Sequence, residues 1–431
     1  MPARSCFELN TVSQDFPALK LPPLSLYVHI PWCVRKCPYC DFNSHEVATG
    51  AIAVAAGAHV DIRHASQTER ADAQLPEAEY VDQLERDLRS QLGWVQGRKL
   101  GSIFFGGGTP SLFSPLAIER ILNLAESLVG FEPGIEITLE ANPGTFEQAK
   151  FAGYRSAGVN RLSIGVQSFD PLQLQNLGRI HSGPEAETAA TEARQAGFDN
   201  INIDLMHGLP GQGEIDALRD LRRAVALGAE HISWYQLTIE PNTAFYSAPP
   251  VTPGSEQIAA IQRAGRAYLA GEGYGRYEVS AYARADLASR HNLNYWSFAD
   301  YIGIGAGAHG KFTLPGSGRI IRTQRTRTPR DYLALGCALG EGGLEFPLPK
   351  VTDVAPSERP LEFLMNTLRL ATGVPADTFP AYTGLPLSAL ERPWSRLQAM
   401  ELVEPLGPSI ATTAFGYDYV DEVLQRFLPE D

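Results

Sequence analysis

HIPWCVRKCPYCDFNS, residues 29–44, holds three of the chain's five cysteines within eight residues, spaced C-x3-C-x2-C. Thiolates are the natural ligands of iron–sulfur clusters. Three of them in one tight loop can reach three corners of a 4Fe–4S cubane and leave the fourth iron without a protein ligand. That open iron can chelate the amino and carboxylate groups of S-adenosylmethionine (SAM). An electron from the cluster can then break the sulfonium C–S bond and yield a 5′-deoxyadenosyl radical, with the protein supplying position and dryness. The competing reading is structural zinc, with His29 or His45 as fourth ligand. The motif lacks the paired C-x2-C knuckles usual in such sites. Cys6 and Cys337 stand apart and read as structural or incidental.

The surroundings fit a reducing compartment. An odd cysteine count with three packed together is a poor disulfide framework and a good metal loop. The opening MPARSCFELNTVSQDF has no apolar core flanked by basic residues, so no secretory signal is expected. No run of roughly 18 apolar residues occurs, so no integral membrane segment is expected and the chain reads as cytoplasmic. Its 431 residues, 44% hydrophobic and 20% charged, suit a large soluble domain with a smaller one. The net charge of -13, without a Lys/Arg-dense stretch, argues against nucleic acid as principal partner.

Working outward, short apolar runs alternate with amphipathic stretches from residue 24 to 240. LSLYVHI (24–30), SIFFG (102–106), IEITLE (135–140), RLSIGV (161–166), NINIDL (200–205) and HISWYQLTI (231–239) read as buried parallel strands. AEYVDQLERDLRSQL (78–92) and LAIERILNLAESLV (116–129) read as intervening helices. Six strands alternating with helices predict βα units, in an open sheet or a barrel. The chemically suggestive residues all follow strand ends, where both architectures place active sites. The cysteines follow the first strand, GGGTP the second and Asn142-Pro143 the third; Gln167 ends the fourth, and Gly208–Gly211 follow the fifth.

Residues 46–74 are Ala-rich, weakly patterned and read as a surface insertion, with His59 and His64 at the surface. From about residue 355, SERPLEFLMNTLRL predicts a helix with Leu361, Phe363, Leu364, Met365 and Leu368 on one broad face. Helix, short hairpin and helix follow, an order that fits a small winged-helix-like module used for packing.

HIPWCVRKCPYCDF resembles the radical-SAM signature and, more narrowly, proteins like oxygen-independent coproporphyrinogen III oxidase. The resemblance runs from about residue 24 to the C-terminus, excepting the insertion. It implies an α/β fold: a partial (β/α)6 radical SAM barrel followed by the winged-helix-like C-terminal domain. The expected division is an extension (1–23), the barrel core (24–245), a flanking region (246–350) and the C-terminal domain (351–431). Cys33, Cys37 and Cys40 would hold the cluster. Tyr39 resembles the aromatic beside the adenine, and Gly106, Gly107, Gly108 and Thr109 the motif that meets the SAM amino group through its backbone. Glycines permit such an approach, though a tight βα turn explains one of them. Glu140 is similar to the carboxylate that holds the SAM ribose or amino end, or else is a solvated strand-end charge. Gln167, Arg179 and Asp204 look like further cofactor contacts. Tyr27 matches a cofactor-side tyrosine of the oxidase and is equally a core residue.

The family has at least two functional branches. The oxidase branch decarboxylates coproporphyrinogen III to protoporphyrinogen IX and typically carries another cysteine two residues after the third, where this chain has Phe42. The HemW-type haem-chaperone branch is more similar, with PYCDFNSH and the H-N-x-x-Y-W motif, here His291–Trp296. It implies haem as cargo, haem-dependent respiratory enzymes as recipients and a possible homodimer. Imidazole can ligate haem iron while Tyr and Trp cover the macrocycle, which makes His291 a candidate haem contact. A packed turn explains the same residues. A third class, a zinc-stabilised binding module, is separated from both by iron–sulfide analysis.

Overall fold

The computed structural model describes residues 17–47, 75–335 and 346–428. Cys6, Cys337, the bulk of the Ala-rich insertion and its histidines lie outside them. The six expected strands all form: β1 (Leu24–Ile30), β4 (Leu100–Gly107), β5 (Phe131–Ala141), β6 (Arg161–Gln167), β7 (Ile201–His207) and β8 (His231–Gln236). The intervening labels β2 (Trp32–Cys33) and β3 (His45–Glu46) belong to a two-residue parallel pair that ties the two ends of the cysteine loop together. β1 and β7 are buried except at Tyr27 and Asp204, as strands covered on both faces should be.

These six strands lie side by side in chain order, every neighbouring pair parallel. They are part of a 12-stranded sheet. Beyond β8 it continues antiparallel through β10 (Ala281–Ala283) to β9 (Gly275–Glu278). Beyond β1 it continues through β11 (Asp300–Ile304), β12 (His309–Leu314), β13 (Arg319–Gln324) and β14 (Lys350–Asp353). β11 runs parallel to β1, and the next three alternate. No ladder joins the outer strands among the described residues, so the barrel is partial. No helix among them is long and apolar enough to cross a membrane.

Local rules place the helices within a residue of expectation. Glu77–Gln91 and Pro115–Leu128 are helical, the second started by Ser114, whose side chain accepts from the Ala117 N–H, and by Pro115. Both pack on the sheet through Tyr80, Leu84, Ile118 and Ile121. A second apolar core gathers Phe363, Leu364, Phe379, Trp394 and Leu397 with Phe298 and Ile320 of the sheet's flank. In the helix Arg359–Thr367, Phe363 and Leu364 are buried while Met365 is 51% exposed, against the expectation of one shared face. One residue further round, at about 100° per residue, carries Met365 off the buried arc. The C-terminal hairpin is reduced to a Val403–Thr412 bridge, and β16 (Ser409–Ile410) pairs instead with β15 (Val374–Pro375).

Candidate functional site

The three thiols are free; Cys33 is buried, Cys37 and Cys40 half-buried. Each sulfur has a polar neighbour. The Thr109 hydroxyl donates to Cys33 Sγ at 3.6 Å, Arg179 Nη1 donates to Cys37 Sγ at 3.7 Å, and Cys40 Sγ lies 3.7 Å from Ser44 Oγ. Asn142 closes the first two contacts into one network. Its Nδ2 donates to Thr109 Oγ1 at 3.2 Å, and its Oδ1 accepts from Arg179 Nη2 at 2.7 Å. Three consecutive βα connections, those after β4, β5 and β6, therefore converge on the loop after β1, because the carboxyl ends of parallel strands share one edge.

The donor set fits a cluster better than zinc. His29 has both ring nitrogens engaged, Nδ1 with the Tyr27 hydroxyl at 3.0 Å and Nε2 with the Asn43 carbonyl at 2.9 Å. His45 Nε2 faces Asn43 Oδ1 at 3.3 Å. His29 therefore has no ring nitrogen open for zinc. Among the described residues no three His, Cys, Asp or Glu side chains gather as a single metal ion requires. Burial pushes the Cys33 thiol up to about 11, so binding iron there displaces a proton. When bound, a cluster with SAM supplies one-electron cleavage of the sulfonium bond; Cys33, Cys37 and Cys40 would hold it.

The glycines of GGGTP are required by contact. A Cβ on Gly107, whose φ is +116°, would stand 2.6 Å from the His29 ring, and one on Gly106 would stand 3.0 Å from the Tyr27 and Phe104 rings. The Gly107 N–H donates to Glu140. Burial, then the neighbouring Asp204, pushes the Glu140 carboxyl up to about 8 against that bond. Asp204 accepts from Asn202 Nδ2 at 2.7 Å and the Ser163 hydroxyl at 3.1 Å. Gln167, in the left-handed region at φ 70°, accepts from the Tyr235 hydroxyl at 2.5 Å. Tyr39 packs beside Leu177, Met206, Leu237 and Phe245.

A cavity of about 590 Å³ adjoins the cysteine loop. Its walls bring together four of the expected site residues, Tyr27, Gly107, Glu140 and His291, with Phe42 and Asn43 of the loop itself. Tyr39, Gln167, Arg179 and Asp204 are not in its lining. The HNLNYW segment is a helix, Arg290–Trp296, rather than a turn. Its start is held by Ser289, which accepts from Asn292 N, and by Glu136, which accepts from the N–H groups of Arg290 and His291. His291, Asn292, Tyr295 and Trp296 face the cavity; Leu293 and Asn294 do not. Positions i, i+1, i+4 and i+5 share a helix face, which accounts for the motif's two unspecified residues. The His291 ring lies 5.0 Å from Phe104, with Nδ1 3.2 Å from the Ser102 hydroxyl. Burial holds His291 down at about 4, so its imidazole is neutral at pH 7.

Sequence reasoning marked Asn142 only as a strand-end residue and missed Asn43, Arg327 and His309. The last three reach the cavity from the loop's tail and from β12 and beyond. Asn142 carried a signal, since it follows a strand end. His309 and Arg327 carried none, because their position depends on how β11 to β13 extend the sheet.

The chain is 45% identical to the haem chaperone HemW of Haemophilus influenzae over 96% of its length and 100% of the relative's. The chain belongs to the HemW family of radical SAM proteins. HemW of Escherichia coli is 44% identical over 96% of the chain and 100% of its own, and HemW of Bacillus subtilis 33% over 85% and 88%. The radical SAM superfamily profile matches residues 27–224 and the HemN C-terminal domain residues 354–416. Membership implies a 4Fe–4S cluster and SAM. Among solved structures, coproporphyrinogen III oxidase (HemN) of Escherichia coli superposes with a TM-score of 0.72 at 21% identity, covering 94% of this chain and 90% of that one. That likeness establishes the fold that this chain shares with the oxidase.

Proposed function

We propose that this protein is a cytoplasmic haem chaperone. It carries a 4Fe–4S cluster on Cys33, Cys37 and Cys40, SAM among the strand-end residues from Tyr39 to Asp204, and haem in the cavity faced by His291. It passes haem to haem-dependent respiratory enzymes, alone or as a homodimer. The single observation behind this reading is the cavity. One wall is the HNLNYW helix with a neutral imidazole and two aromatic rings, and another is the tail of the cysteine loop. A lining that sets the rings of Tyr27, Phe42, Phe104, Tyr295, Trp296 and Tyr301 among polar and charged groups suits a flat ligand with an apolar body and a charged edge.

Ferric haem titrated into the anaerobically reconstituted chain should bind one per chain, and His291→Ala should weaken it about tenfold. Unchanged binding in that variant would place the haem elsewhere. The second reading, an oxygen-independent coproporphyrinogen III oxidase, draws on the shared fold. Phe42 in place of a cysteine and the HNLNYW helix count against it.

A further inference from the structure

The cavity has a second imidazole. His309 opens β12 and lines the same space as His291, together with Arg327. His291 lies over Phe104 on β4, and the sheet runs β4, β1, β11, β12 from there. Three strand spacings of about 4.8 Å put the backbones of Phe104 and His309 on the order of 14 Å apart. The two imidazoles therefore reach the cavity from opposite sides of β1, whose Tyr27 also lines it.

The His309 backbone is fixed. It lies where a side chain on Gly303 would be, since a Cβ there would strike the His309 carbonyl. The turn before it is clamped by Gly305 N donating to Asp87 at 3.1 Å, Ala306 N donating to the Tyr80 hydroxyl at 2.8 Å and Gly307 N donating to the Thr326 carbonyl at 2.7 Å. The imidazole itself makes no hydrogen bond among the described residues. Partial burial, then Arg322 and Arg327, holds its pKa down, which favours the neutral ligand form. Arg327 has no carboxylate partner among the described residues.

Resting on the haem reading above, we infer that His309 is a second iron ligand and that Arg327 pairs with a propionate carboxylate of the same tetrapyrrole. Imidazole is a common haem ligand, and guanidinium recognises carboxylates through paired donors.

The test is a titration of the anaerobically reconstituted full chain with ferric haem and, separately, with ferric haem dimethyl ester. Absorption and electron paramagnetic resonance spectra are read on the wild type, His309→Ala and Arg327→Gln. Both side chains are exposed, so neither change disturbs the core. The wild type should give a six-coordinate low-spin spectrum, and His309→Ala a high-spin one. Arg327→Gln should bind haem about tenfold more weakly, yet match the wild type for the ester. Stoichiometric haem binding with wild-type spectra and affinities in both variants would overturn this inference and leave the chaperone reading standing. No haem binding by the wild type would overturn both.

Discussion

The side-chain amide of Asn43 occupies the space that a side chain on Gly307 would need. Asn43 lies three residues past Cys40, and its Nδ2 donates to the carbonyls of Ala306 and Arg327, both at 2.9 Å. The tail of the cysteine loop is thereby fastened to the turn that carries His309. The cysteine loop and the cavity share a wall.

Asn43→Ala removes both bonds at a cost of about 2 kcal/mol. Loosening should reach the β2–β3 pair, where His45 N donates to Pro31 and Val47 N to Cys33. Hydrogen exchange of those two amides should accelerate more than tenfold in Asn43→Ala. Unchanged rates would mean that the strap carries no strain from the loop.

Arg179 spans Cys37, Asn142 and the Gly165 carbonyl, the last at 2.6 Å. Lysine keeps the charge but not the planar fork. Arg179→Lys should lose iron–sulfur absorbance about tenfold faster during anaerobic gel filtration, the size typical of partners that orient metal ligands. Thr109→Val, which removes only the donor to Cys33, should act in the same direction and less strongly. Wild-type retention in both would show that the network serves the fold rather than the cluster.

Glu140 makes the unliganded protein's stability depend on pH. Its folded pKa of about 8 stands above the ordinary 4.5. A carboxyl raised on folding contributes fully below 4.5 and loses that contribution as pH rises through 8. The Tm of the wild type should therefore drop relative to Glu140→Gln between about pH 5 and 8, by the equivalent of a few kcal/mol. Parallel Tm profiles would refute the buried-carboxyl account.

Phe42 stands where the oxidase branch has a cysteine, and it is 64% exposed at the cavity rim. Phe42→Cys should leave iron and sulfide per chain unchanged, because three thiolates already meet the loop's needs. Phe42→Ala should weaken haem binding several-fold by removing an apolar lid. Extra iron in the first variant would show that the fourth thiol is recruited.

The six parallel strands were legible because strands buried on both faces write continuous apolar runs, and the cysteine spacing is local to one loop; the choice of a barrel over an open sheet came from the family resemblance. GGGTP stood out because it ends a strand, and parallel strands end at one edge, whereas Glu140 entered through the family resemblance alone. What lay beyond reading was set by pairing between distant segments. β11 sits beside β1 across more than 270 residues of chain, and only that adjacency brings Gly307 and His309 to the cavity wall. HNLNYW hid its helix because seven residues are too few to display a period. Met365 misled because an apolar side chain in an amphipathic run need not lie on the buried arc.

The most direct measurement incubates the anaerobically reconstituted protein, with cluster and SAM confirmed, with reductant and coproporphyrinogen III. Tetrapyrrole mass is followed while haem is titrated in parallel. A chaperone leaves the tetrapyrrole mass unchanged and binds one haem per chain, less tightly after His291→Ala. Loss of two carboxyl groups per tetrapyrrole would contradict the account and make this protein an oxidase.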